Sequence, residues 1–199
     1  MNGHSLRADL ALIAAQVPTG ARVLDVGCGD GTLMAALQGA RRVDARGLEI
    51  DPANVAAAMA RGLAVVQGDA DRDLADYPDD SFDIAILSQT LQTTHRPDRV
   101  VGELLRIAPR AFVSFPNFAH WRVRWSLLWN GRMPVTAELP VSWYETPNIH
   151  HLTVRDFEGF IAERALVVDG AWFLANGQPI GAAGANWRAE QAVFGLRRE

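Results

Sequence analysis

The stretch Val23-Leu24-Asp25-Val26-Gly27-Cys28-Gly29-Asp30-Gly31 limits the folds open to this chain more than any other. A short apolar run closed by glycines reads as a buried strand, Arg22 to Cys28, turning tightly into a helix, Gly31 to Gln38. The glycines let the backbone pass close beneath a ligand, and the helix start offers free N–H donors to a carboxylate. Strand, glycine loop and helix in this order open an α/β sheet whose ligands lie beyond the carboxyl ends of the strands.

The flanking sequence carries the same beat. Leu6, Leu10, Ile13, Ala14 and Val17 recur at helical spacing after Ser5, an N-cap residue type, and Pro18 to Gly20 breaks the pattern. After the glycine loop come strand Asp44 to Ile50, helix Pro52 to Arg61, strand Ala64 to Gly68, strand Phe82 to Ser88, helix Pro97 to Ile107 and strand Arg110 to Phe115. Parallel neighbours need crossovers, and the crossovers cover both faces of the sheet. Thr153 and Asp156 form a capping-box-like pair that predicts a helix from Val154 to Arg164. Strands Leu166 to Leu174 and Gln191 to Leu196 follow with no helix between them, so they should be antiparallel neighbours joined by the Gly- and Ala-rich segment Ala175 to Glu190. The expectation is a doubly wound, three-layer, Rossmann-like α/β fold with a mostly parallel seven-stranded sheet ending in an antiparallel hairpin.

With 199 residues, no internal repeat and no Pro- or Ser-rich linker, residues 1–199 are expected to form one domain. Hydrophobic residues make up 49% and charged residues 21%, and no apolar run approaches the roughly 20 residues that span a bilayer, so a soluble protein is expected, with no membrane partner. The first residues lack a signal-peptide pattern and Cys28 has no second cysteine to pair with, which fits a cytoplasmic setting. A net charge of −4 with scattered basic residues argues against nucleic acid as a partner.

Three carboxylates define the ligand. Asp25 at the end of the first strand would repel a pyrophosphate but can pair with an ammonium group. Glu49 ends the second strand about 20 residues beyond the glycines, where a carboxylate accepts from ribose hydroxyls. Asp51 is a fallback for that role, or the N-cap of the helix that Pro52 opens. Asp69, after the third strand, can accept from an adenine amino group while the Ala70 N–H donates to a ring nitrogen. An ammonium, a ribose and an adenine without phosphate describe S-adenosylmethionine or its demethylated form, S-adenosylhomocysteine. Gly27, Cys28 and Gly29 in the loop and Ile50 beside Glu49 complete the expected contact set, with Ser88 and Gln89 at the end of the fourth strand on the methionine or methyl-transfer side. Cys28, between two loop glycines, reads as a small packing residue rather than a reactive thiol.

Val23 to Gly31, Gly47-Leu48-Glu49-Ile50-Asp51, Gln67-Gly68-Asp69-Ala70 and Phe82-Asp83 through Ser88-Gln89-Thr90-Leu91-Gln92 resemble the MetW family of methionine biosynthesis proteins, within the class I S-adenosylmethionine-dependent methyltransferase fold. Ser114-Phe115-Pro116-Asn117-Phe118, Gly131-Arg132-Met133-Pro134 and Trp143-Tyr144-Glu145-Thr146-Pro147-Asn148-Ile149-His150 are similar to that family's most specific stretches, and the likeness runs from about Leu6 to Arg197. The resemblance implies a place in methionine biosynthesis beside a homoserine O-acyltransferase, with which the family can form a complex and whose activity it supports. It does not by itself imply methyl transfer.

Two functions therefore compete. A regulatory subunit would bind S-adenosylmethionine, the downstream product, and dock on the acyltransferase. A methyltransferase would act on a small-molecule acceptor enclosed by Asn117 to His151, a segment longer than a crossover requires, for which His95, His120, Tyr144, Glu145, His150 and His151 are the available bases. These bases form no diagnostic constellation, so catalytic residues are left unassigned. His150 and His151 are adjacent and would point opposite ways in an extended chain, so no shared metal is expected. Trp121, Trp125 and Trp129 recur every four residues among Arg122, Arg124 and Arg132, a stripe that fits either core packing or a lid or partner-docking surface.

Overall fold

The computed structural model describes residues 6–136 and 139–198. Helix α1 (Ala8–Gln16) precedes β1 (Arg22–Val26), α2 (Thr32–Arg41), β2 (Asp44–Glu49), α3 (Pro52–Ala60), β3 (Ala64–Gln67) and the single turn α4 (Ala70–Asp73). There follow β4 (Ile84–Ser88), α5 (Pro97–Ile107), β5 (Arg110–Pro116), α6 (Trp121–Asn130), α7 (Val154–Glu163), β6 (Val167–Ala175), β7 (Gln178–Ile180), α8 (Ala185–Arg188) and β8 (Gln191–Arg197). The expected N-cap Ser5 lies outside the described residues; α1 starts after Arg7, whose side chain caps nothing. The Thr153–Asp156 capping box is present in full.

One sheet carries the strands in the order β3-β2-β1-β4-β5-β8-β6-β7. The first five are parallel, and β8, β6 and β7 are antiparallel to their neighbours. The predicted hairpin partners β6 and β8 do lie side by side. The sheet has eight strands rather than seven because β7, inside the segment read as a bare loop, folds back on the end of β6. Asn176 and Gly177, both at positive φ (49° and 69°), make the two-residue turn that such a hairpin favours.

The chain reverses its direction of winding between β1 and β4, and the strand order there opens a crevice at the carboxyl ends. Register decides what lines it. Asp25 lies opposite Gly47 and Ile86, and Ser88 opposite Ser114, so with the two-residue period Asp25, Glu49, Ser88 and Ser114 share one face. On that face Ile13 and Val17, and Leu33, Met34 and Leu37 of α2, pack against Val23, Ile84, Ile86, Phe112 and Val193. On the other face Leu104 and Phe157 meet Leu24, Val26, Leu87, Val113 and Phe115. Each fully buried side chain of this kind contributes about 1.5–3 kcal/mol of transfer free energy. No helix among the described residues is long and apolar enough to cross a membrane.

Candidate functional site

The glycine loop is locked in place by its neighbours. The Gly27 N–H donates to the Leu48 carbonyl at 2.7 Å, and Gly27 has φ of 69°, where a Cβ would also strike the Thr90 side chain. Gly29 donates to Glu49 Oε2 at 2.7 Å, and the other Glu49 oxygen accepts from the Asp51 N–H at 2.9 Å. Asp51 itself accepts from the Ala53 N–H as the N-cap of α3, so it serves the helix. Cys28 is buried at the loop centre and burial pushes its thiol up to about 12, in keeping with packing and against reactivity. Ile50, 64% exposed, leaves an apolar side chain open beside Glu49.

At the start of α2 one backbone donor is already engaged. Asp30 accepts from both the Thr32 N–H (3.1 Å) and its hydroxyl (2.6 Å), and pairs with Arg61 at 2.7 Å. A carboxylate already occupies the positive end of the helix dipole there.

Asp25 is 2% exposed, and no hydrogen bond to its carboxylate is found among the described residues. Burial pushes its pKa up to about 7; the positive charge of Arg7 opposes this shift and the charge of Glu49 adds to it. Asp69 caps α4 by accepting from the Asp71 N–H at 2.9 Å through Oδ1, while its own N–H donates to Asp73. Ala70 opens α4 half-buried against the core.

The tips of β4 and β5 hold a network that sequence reasoning missed. The Ser88 hydroxyl donates to Asp9 Oδ2 at 3.0 Å and the Ser114 hydroxyl to the same oxygen at 2.9 Å. Arg7 grips Asp9 with two hydrogen bonds, 2.7 and 2.9 Å, and reaches Ser88 Oγ at 2.7 Å. Asp9 is fully buried; burial works to raise its pKa, but bonding and charge from Arg7 with the two serine hydroxyls carry it below its ordinary value. Ser88 thus turns its hydroxyl onto Asp9. Gln89 adopts φ of 53°, strained for a non-glycine residue, and donates its N–H to the Ser114 carbonyl at 2.9 Å. Its buried Nε2, Gln92 Oε1 and His150 Nε2 have no partner among the described residues. The Ile149 and His150 N–H groups both donate to the Gln92 carbonyl, which brings the end of the long segment over the β4 tip.

The remaining sequence candidates stay apart. His95 is exposed before α5, and Tyr144 is exposed. His120 is buried at the start of α6, where desolvation lowers its pKa. Glu145 accepts from the Ser142 hydroxyl, and His151 sits edge-on to Phe118 at 4.8 Å. None is hydrogen-bonded to Asp25, Glu49, Asp69 or Ser88 among the described residues. Trp121, Trp125 and Trp129 are 41%, 53% and 66% exposed, which overturns core packing for the stripe.

The family model for "Methionine biosynthesis protein MetW" matches residues 7–196. The "Bifunctional methionine biosynthesis protein MetXA/MetW" of Rhodopirellula baltica is 32% identical over 98% of the chain; the chain spans 33% of that relative's length. An S-adenosylmethionine-dependent methyltransferase of Mesorhizobium loti shares the fold with a TM-score of 0.70 at 19% identity, over 96% of this chain and 98% of that one. The [4+2]-cyclase SpnF does so with a TM-score of 0.69 at 18% identity, over 95% and 80%. One of these is a methyltransferase and the other a cyclase, so the architecture alone does not fix a reaction. The family match and the curated relative agree, and the chain belongs to the MetW family of methionine biosynthesis proteins.

Proposed function

We propose that the chain is an S-adenosylmethionine-binding subunit of methionine biosynthesis that docks on and regulates a homoserine O-acyltransferase. The observation that carries this reading is the bifunctional relative, in which a MetW-like third is joined in one chain to a MetXA unit. That unit corresponds to the acyltransferase that the family resemblance implies. A fused pair in one species is an expected counterpart of a docked pair in another.

The crevice suits the cofactor. Asp25 offers a carboxylate with no hydrogen bond among the described residues to the ligand's ammonium, Glu49 a carboxylate beside the loop for the ribose hydroxyls, and Asp69 its Oδ2 for the adenine amino group. Gly27, Cys28 and Gly29 form the floor, Ala70 N–H and the open Ile50 flank the adenine, and Ser88 and Gln89 border the methionine end. When bound, the cofactor supplies a methyl group on a sulfonium; in the subunit reading it is sensed rather than consumed. The 117–151 segment supplies the docking face through Trp125 and Trp129, which stack edge to face at 5.2 Å and are more than half exposed, with Arg122 over Trp121 on the same helix. Trp and Arg are the residues most enriched at interface hot spots.

A pull-down from the native cell, with and without added S-adenosylmethionine, tests this. Capture of the acyltransferase that responds to the cofactor and is lost in Trp125→Ala or Trp129→Ala supports it; no capture under either condition sinks it. By linkage the partner must change cofactor affinity by the same factor as the cofactor changes partner affinity.

One observation favours the second reading, a methyltransferase for a small polar acceptor. Gln89 Nε2, Gln92 Oε1 and His150 Nε2 are buried without partners among the described residues, and buried polar groups are normally hydrogen-bonded. Methyl incorporation from labelled cofactor into a cell extract by the isolated chain would establish that reading instead.

A further inference from the structure

We propose that the cavity between α5, α7 and residues 150–152 is a binding site for a small neutral ligand with one aromatic ring and one hydroxyl group, held by His150; it is separate from the cofactor crevice and does not rest on the cofactor reading.

The cavity measures about 210 Å³, and its lining is mostly apolar: Leu91 after β4, Val101 of α5, Leu152, and Phe157 and Phe160 of α7. Leu91, Val101 and Phe157 belong to the core on the sheet face opposite the one that carries Asp25 and Glu49. Protein interiors leave few voids larger than a water molecule, whereas a dry apolar cavity of about 150 Å³ takes a benzene ring. The larger space here admits a ring with one short substituent. Phe157 and Phe160 hold their rings 5.8 Å apart and 27° from parallel, and aromatic walls favour an aromatic ligand through stacked or edge contacts.

Three polar residues share this lining, and two of them are engaged. Asp98 accepts from Arg96 and Arg164, and Asp156 Oδ2 accepts from the N–H and the hydroxyl of Thr153. The third is His150, whose buried Nε2 has no partner among the described residues, although buried polar atoms are normally hydrogen-bonded. Its backbone is fixed, because the His150 N–H donates at 3.0 Å to the carbonyl of Gln92, a residue 3% exposed. An imidazole nitrogen donates in one tautomer and accepts in the other, and a hydroxyl can answer both. The two carboxylates repel an anionic ligand, which leaves a neutral one as the fitting class.

The test is an amide NMR titration of the full chain with benzyl alcohol, toluene and benzoate. Benzyl alcohol should shift the amides of Leu91, Val101, Leu152 and Phe157 and bind roughly 3- to 10-fold more tightly than toluene, the worth of one hydrogen bond, with benzoate weaker than either. His150→Ala should keep toluene binding and abolish the preference for the alcohol. No shift at these amides with any probe overturns the proposal, as does toluene or benzoate binding as tightly as benzyl alcohol to the unaltered chain. A preference for the alcohol that survives His150→Ala overturns it too. The probe comparison on the unaltered chain decides the matter even if the variant does not fold.

Discussion

Glu49 at the tip of β2 accepts the Gly29 N–H at 2.7 Å, so the loop after β1 is held by the neighbouring strand. A residue expected only to face a ribose also holds the cradle in shape. Glu49→Ala should therefore act twice, costing about 1–3 kcal/mol in cofactor affinity and about 1 kcal/mol in stability, because two partly buried backbone hydrogen bonds are lost. Glu49→Gln keeps one carbonyl oxygen and should fall between. Calorimetry and denaturant melts on the two variants check this; an affinity loss in Glu49→Ala without any loss of stability would leave Glu49 with the ligand role alone.

Asp25 sets a pH dependence. Its unfolded value lies near 3.8 and its folded value near 7, so between them the native state holds a proton that the unfolded chain has released. Stability from this group is thus full below about pH 4 and declines as pH rises to about 7, by a few kcal/mol at most. Asp25→Asn should remove that decline and be more stable than the unaltered protein at pH 8. Binding runs the other way: a ligand ammonium needs the ionised carboxylate, so affinity should rise by up to about tenfold per unit from pH 5 to 7 and flatten above. Titration calorimetry across that range reads both the slope and the released proton, and a flat profile would remove Asp25 from the ammonium site.

Trp125 and Trp129 separate docking from folding. Both are more than half exposed, so the double change to Ala should cost less than about 1 kcal/mol, whereas Phe112→Ala, fully buried, should cost about 3–5 kcal/mol. Partner capture should behave in the opposite sense, lost in the tryptophan pair and kept wherever Phe112→Ala is folded. Denaturant midpoints beside the pull-down decide it. A tryptophan pair as costly as Phe112 would return the stripe to the core.

What the sequence disclosed followed from locality. The β1 run, the glycine loop, the alternation through β5 and the Thr153–Asp156 box are patterns within a few residues, and all are present in the structure. The Arg7–Asp9–Ser88–Ser114 network was not readable, because its hydrogen bonds join positions 79 and 105 residues apart. A trace did exist. Asp9 lies on the same helical stripe as Ile13 and Val17, and a carboxylate within an apolar stripe must find partners. The β7 hairpin left an even plainer signal in Asn176-Gly177, obscured by the surrounding Gly- and Ala-rich composition. At the start of α2 the Thr32 N–H is taken by Asp30, a contact that no spacing rule conveys.

Asn117 offers the most exacting check on how the long segment is anchored. It is 2% exposed, and its Nδ2 donates to the carbonyls of Asn186 (3.1 Å) and Ala189 (2.8 Å). Its Oδ1 accepts from the Ala119 N–H (3.1 Å) and the Val154 N–H (3.3 Å). One amide thus ties the end of β5 to α8 and to the start of α7, on either side of the 117–151 segment. Asn117→Asp keeps the shape but turns a carboxylate oxygen toward two carbonyls, so it should cost about 2–5 kcal/mol at pH 8. Protonation restores a donor and removes the charge, so that variant should recover part of the loss as pH falls to 5. Asn117→Ala, which cannot titrate, should lose about 1–3 kcal/mol at both pH values relative to the unaltered protein. Denaturant melts at the two pH values distinguish them: equal behaviour of the Asp and Ala variants would mean that the amide's donors carry none of the anchoring.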